Sequence, residues 1–134
     1  MTDDDSVKKC VAGIINEQGK IDVLFNNAGY GTYGTIENVP MEEIQRQFDI
    51  NVFDMARVLK AVLPHMREKK TGLIINTASV VGHMSTAFLG WYAASKHAIE
   101  AFTDALHQEV RDIGIKVSLI EPGALKTGFD KVSF

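Results

Sequence analysis

Three short apolar runs, at residues 21–25, 73–76 and 115–120, each empty into a segment rich in glycine and small polar residues. Each is preceded by a longer stretch whose apolar positions recur at helical spacing. This alternation leaves few folds open. Parallel strands need crossover connections, helices supply them, and the crossovers are right-handed. The chain is therefore predicted to be α/β, one domain, with a parallel sheet whose apolar strands imply helices over both faces. The first helix opens on Asp3, Asp4, Asp5 and Ser6, carries Val7, Cys10, Val11, Ile14 and Ile15, and runs to about Glu17. The longest places Met41, Ile44, Phe48, Val52, Met55, Val58, Leu59 and Val62 on one stripe, and Pro64 is expected to kink or stop it. A third, over residues 91–113, carries Ile99, Phe102, Leu106 and Val110, with Gly114 placed as its cap.

Composition narrows the partners. Lys and Arg number 14 against 17 Asp and Glu, a net charge of −3, and the only basic cluster is Arg67, Lys69 and Lys70. Neither nucleic acid nor an anionic membrane surface is an expected partner. The single Cys10 excludes an intramolecular disulfide and a cysteine metal cluster, which fits a reducing, cytoplasmic setting. His65, His83, His97 and His107 lack metal-ligand spacing, so no metal is assigned. The start is acidic where a signal peptide is basic, and no apolar run approaches the roughly 18 residues of a membrane span.

In open parallel sheets ligands sit beyond the carboxyl ends of the strands, here residues 26–34, 76–90 and 121–128. Gly29, Gly31 and Gly34 satisfy G-x-G-x-x-G after a strand, but residues 35–40 separate them from the next helix and Asp54 falls mid-helix. The match is read as a loop and not as a pyrophosphate site, which needs the helix N-terminus at once. Ser79, Tyr92 and Lys96 are more specific. Tyr92 and Lys96 share a helix face at i, i+4, where a fixed ammonium favours phenolate, and Ser79 arrives from the loop after the neighbouring strand. Serine to orient a carbonyl and tyrosine to protonate it is general acid chemistry. Taken alone, the pair also fits an exposed helix face with a snorkelling lysine. By the same token Asn51 also fits a polar residue bonded to nearby backbone, Asn26 and Asn27 fit turn formers, and Thr127 fits a helix cap.

Asn26-Asn27-Ala28-Gly29, Asn51, Ser79, Tyr92-Ala93-Ala94-Ser95-Lys96 and Pro122-Gly123 stand in an order and spacing that resemble the classical short-chain dehydrogenase/reductase family. The resemblance covers essentially the whole chain. It implies a Rossmann-type doubly wound parallel sheet, incomplete here, with strands corresponding to 4-5-6. It implies NADP or NAD as cofactor, a small carbonyl or alcohol substrate, and a homo-oligomer formed through helices 41–63 and 91–113. By resemblance, Asn26, Ala28 and Gly29 lie at the strand end near the cofactor ribose, and Asn51 holds a water linking Lys96 to solvent. Ser79 orients substrate, and Tyr92 is the catalytic acid or base. Lys96 contacts the nicotinamide ribose and lowers the Tyr92 pKa, while Pro122, Gly123 and Thr127 line the nicotinamide.

The family begins with a strand and a glycine-rich pyrophosphate turn that have no counterpart ahead of Met1, so the resemblance is to its C-terminal part. The strand at residues 21–25 is then expected to present an open sheet edge. The function expected is a truncated NAD(P)-dependent oxidoreductase acting on a carbonyl or secondary alcohol. A non-catalytic dimerising or binding module and one half of a split reductase are the alternatives.

Overall fold

The computed structural model describes residues 3–124. The chain enters through α1 (Asp4–Gln18), whose first turn is capped by the Asp3 carboxylate accepting from the Asp5 N–H, and it leaves through Gly19 in the left-handed conformation. β1 (Val23–Asn26) follows. A loop leads to α2 (Met41–Phe48), which continues through a π-helical turn, Asp49–Phe53, into α3 (Asp54–Lys69). β2 (Gly72–Thr77), a 3-10 turn at Val80–Gly82, α4 (Gly90–Val110), a second 3-10 turn at Arg111–Ile113 and β3 (Ile115–Ile120) complete the order.

The sheet is parallel with strand order β1-β2-β3. Register fixes its two faces. Leu24, Ile74 and Val117 form one cross-strand row, and Leu24 and Ile74 lie in a single core with Val7 and Val11 of α1, Leu59, Val62 and Met66 of α3, and Leu106 and Val110 of α4. Met66 and Ile74 are fully buried, each worth about 2 kcal/mol relative to exposure. The alternate row, Phe25, Ile75 and Ser118, points the other way, and Val23, Phe25 and Ile120 are exposed.

The expectation of helices over both faces is thus corrected: among the described residues all the core helices cover one face. The reason is topological. When successive right-handed crossovers step across the sheet in the same direction, each lays its helix on the same side.

Pro64 neither stops the helix nor ends it early. It lies inside α3 on the exposed side, as does Lys60, whose carbonyl loses the proline's missing N–H to the side where water replaces it. Termination falls instead at Lys70, which adopts φ 54° and bonds the Arg67 and Met66 carbonyls. Met41, placed on the apolar stripe by periodicity, is exposed at the helix start. No helix among the described residues is long and apolar enough to cross a membrane.

Candidate active site

The carboxyl ends of the three strands converge on Ser79, Tyr92 and Lys96. β2 delivers Ser79, which caps the Val80–Gly82 turn: its hydroxyl accepts from the Val81 N–H and donates to the Pro122 carbonyl, both at 3.4 Å. That second bond draws the loop after β3 beside the loop after β2. Val80 N–H reinforces it by donating to the same carbonyl at 3.2 Å, and Ala78 N–H donates to Ile120 at 2.8 Å. α4 presents Tyr92 and Lys96 one turn apart, with the Lys96 ammonium 5.6 Å from the centre of the Tyr92 ring. The Tyr92 hydroxyl is hydrogen-bonded to Ser79. A hydroxyl, a phenol and an ammonium thus meet where sequence spacing placed them.

Lys96 is buried and donates one of its three N–H bonds to the Thr77 carbonyl at 3.1 Å. Burial pulls its pKa from 10.5 down to about 8. The folded state therefore disfavours the ammonium, fully so below pH 8, and the penalty is relieved as pH rises from about 8 toward 10.5. Lys96→Met is expected to raise the stability of the fold by about 2 kcal/mol at neutral pH. Its advantage should shrink steadily between pH 8 and 10.5. Thermal unfolding of both proteins across that range checks this, and a pH-independent difference would show that the lysine's burial is not the cause.

The resemblance implied that Lys96 lowers the Tyr92 pKa. Here the Tyr92 pKa is raised, chiefly by burial of the phenol, with the Ser79 hydrogen bond acting against it and Tyr33 adding to it. The Lys96 ammonium lies over the Tyr92 ring and donates to the Thr77 carbonyl. A tyrosine kept neutral is a proton donor at physiological pH.

Asn51 sits in the π-helical turn, fully buried. Its side-chain oxygen accepts from the Tyr30 N–H at 2.7 Å, and its amide donates to the Tyr30 carbonyl at 2.8 Å and to Ser95 at 3.0 Å. It therefore pins the loop after β1 to the helix of Tyr92. The extra residue of a π turn is what re-aims a side chain off the regular stripe, and such turns concentrate at functional sites. A Cβ on Gly29 would lie 3.7 Å from the Lys96 ammonium and 3.9 Å from the Asn51 oxygen, which places all three around one floor.

Asn26 donates to Asn76 at 2.9 Å across the β1-β2 pair, and Asn76 donates to Thr103 of α4 at 2.9 Å. It thereby ties the strand ends to the helix layer. Asn27 accepts from Thr77 at 3.1 Å. Ala28 follows on the same exposed loop, and the next helix begins only at Met41, so the glycines at 29, 31 and 34 open no helix. Pro122 and Gly123 border Ser79, while Thr127 lies outside the described residues.

Several residues escaped sequence reasoning. Gln47, fully buried, accepts from the Thr32 N–H at 2.7 Å, and the Tyr30 hydroxyl donates to Glu43 at 2.6 Å while Arg46 stacks 5.0 Å over its ring. The available signal was two polar residues, Gln47 and Asn51, interrupting an apolar stripe at i, i+4. His83, Glu100 and Glu121 were also missed, because they come from three separate segments.

The family description "short chain dehydrogenase" matches residues 1–134. The chain is 40% identical over 134 residues to a probable short-chain type dehydrogenase/reductase, VdlC, of Helicobacter pylori, covering 100% of this chain and 49% of that protein. It is 45% identical over 129 residues to a 3-ketodihydrosphingosine reductase of Bacteroides thetaiotaomicron, covering 96% and 48%. The solved structure of an NAD+-bound xylitol dehydrogenase superposes with a TM-score of 0.91 at 36% identity, over 96% of this chain and 50% of that one. The chain spans about half the length of these relatives. With the serine, tyrosine and lysine assembled at the strand ends of a parallel α/β sheet, and with this likeness along its whole length, the chain belongs to the short chain dehydrogenase family.

Proposed function

We propose that this chain carries the proton-transfer centre of an NAD(P)-dependent oxidoreductase that interconverts a carbonyl and a secondary alcohol. The observation that carries the reading is the Ser79–Tyr92 hydrogen bond set beside the buried Lys96. In reduction, the Ser79 hydroxyl holds the carbonyl oxygen, the neutral Tyr92 phenol gives it a proton, and Lys96 stabilises the phenolate left behind. Oxidation reverses each transfer. A bound nicotinamide supplies or accepts the hydride.

The donor set suits such a cofactor: a buried ammonium with one of three N–H bonds spent on protein can reach a diol, and Gly29 leaves the floor beside it free of side chain. Asn26, Ala28, Gly29, Tyr92, Lys96, Pro122 and Gly123 are the residues that would hold it, and Asn51 would order a water toward Lys96. A homo-oligomer through α3 and α4 rests on family resemblance. One half of a two-chain reductase is a second reading, favoured by the apolar sheet face at Val23, Phe25 and Ile120.

The same loops indicate the substrate. Residues 29–36 and 84–92 contain no charged side chain. They expose Tyr33, Ile36, Met84 and Phe88, and they are joined by Gly34 N–H donating to Phe88 O at 2.9 Å and by Trp91 donating to the Ile36 carbonyl at 3.2 Å. A rim of this kind suits an uncharged apolar ketone or alcohol and offers no cation to a phosphate or carboxylate.

Trp91, the one tryptophan and the neighbour of Tyr92, reports on the site. Titration with NADPH and then NADH is expected to quench its emission saturably with energy transfer to the dihydronicotinamide, and apolar ketones are expected to turn over ahead of carboxylated ones. No quenching by millimolar cofactor in a folded chain would overturn the cofactor reading, and a preference for anionic ketones would overturn the substrate reading.

A further inference from the structure

Glu100 lies two helical turns beyond Tyr92 and one beyond Lys96, on the same line of α4. Nothing in the proton-transfer scheme uses it. Its carboxylate packs over Gly82, where a Cβ would come within 2.7 Å of Oε1 and 2.9 Å of Cγ and would push the Glu100 side chain aside. Glu121, the residue before Pro122, brings a second carboxylate to the same place from the end of β3.

His83, which ends the Ser79 turn, points its Nε2 at both: it contacts Glu121 directly and lies 3.7 Å from Glu100 Oε2. Asp104, one turn further along α4, adds another negative charge facing Glu100. The Glu100 oxygen Oε1 is buried without a partner among the described residues. Two carboxylates converging on one point repel unless a proton or a cation lies between them. The imidazole is the one side chain in the cluster able to supply positive charge.

We propose that His83, Glu100 and Glu121 form a positioning clamp that holds the Ser79 turn and the Pro122–Gly123 segment against the face of α4 carrying Tyr92 and Lys96. The geometry gives each member a separate backbone to hold: His83 the turn after β2, Glu121 the loop after β3, Glu100 the helix. The Ser79 and Val80 bonds to the Pro122 carbonyl fasten the first two together, and the clamp fastens both to the third. In support, burial first and then the Glu121 charge raise the Glu100 pKa, while His83 lowers it. The clamp rests on the oxidoreductase reading only in that Ser79 and Tyr92 are taken as the reacting groups.

Nuclear magnetic resonance of the 134-residue chain, following the Glu100 and Glu121 carboxyl carbons, the His83 ring and the backbone amides through a pH titration, decides it. The amides of Val80, Val81 and Gly123 are expected to shift together with the His83 ring. In His83→Gln that shared shift should vanish and Glu100 should titrate at higher pH, whereas Glu121→Gln should move Glu100 to lower pH. His83→Arg, with a permanent cation, should hold the amides at their low-pH positions throughout. In turnover assays His83→Gln is expected to lower kcat by roughly 10-fold through misplacement of Ser79, and His83→Arg to restore it.

Amides at 80, 81 and 123 that ignore His83→Gln, or a Glu100 titration identical in all variants, would overturn the clamp. Absence of any turnover in the unsubstituted chain would count against the oxidoreductase reading and leave the resonance result to decide the clamp by itself.

Discussion

Tyr92→Phe is expected to lower the rate of carbonyl reduction by about 100- to 10,000-fold, the range that a positioned general acid supplies. The substitution removes one oxygen from a half-buried ring and leaves the ring's packing intact. Stability should therefore change by no more than about 1 kcal/mol, the net worth of the lost hydrogen bond to Ser79. Quenching of Trp91 by cofactor should survive, because the ammonium of Lys96 and the backbone at Gly29 are untouched. The measurement is single-turnover reduction with saturating cofactor, accompanied by thermal unfolding. Retention of most of the activity would mean that the proton comes from water or from Ser79, and the role assigned to the phenol would be lost. A binding module, by contrast, would be indifferent to this change by every measure.

Asn51→Leu should produce the largest loss of stability among changes at the site. The asparagine satisfies the N–H and the carbonyl of Tyr30 and bonds Ser95, all at a fully buried position. Leucine is similar in size but leaves those groups unpaired. At about 1–3 kcal/mol for each orphaned buried group, partly relieved by movement of the loop, the expected cost is about 3 kcal/mol. That corresponds to a fall in Tm of roughly 10 °C for a domain of this size. Urea unfolding and amide exchange at Tyr30 measure the two halves of the effect. A loss below about 0.5 kcal/mol, the scatter of surface substitutions, would show that the loop after β1 is held by something other than Asn51.

Much of the architecture is legible in the sequence, because helix and strand periodicity, caps and turn glycines are local properties. Gly19 and Gly114 end elements where they were expected, with φ 75° and 88°. Ser79, Tyr92 and Lys96 were legible for a related reason: i, i+4 spacing on a helix is geometry, and strand ends in a parallel sheet all point one way. That α3 continues past Pro64 was not legible, because the cost of proline in a helix depends on whether the abandoned carbonyl meets water, which is a matter of exposure and not of sequence. The net rise of the Tyr92 pKa was not legible, because desolvation depends on how many atoms surround the phenol, and no spacing rule counts them.

By itself, then, the sequence determined the alternation of three strands with crossover helices and the parallel sheet. Those follow from repeats of two and 3.6 residues and from the handedness of the chain. Only the tertiary structure decided which face of the sheet the helices cover, which backbone Asn51 and Gln47 pin, and that His83, Glu100 and Glu121 come together. Each of these depends on contacts between residues far apart in the chain, where the free energy is set by burial and by the partners a polar group finds, and a local pattern carries neither.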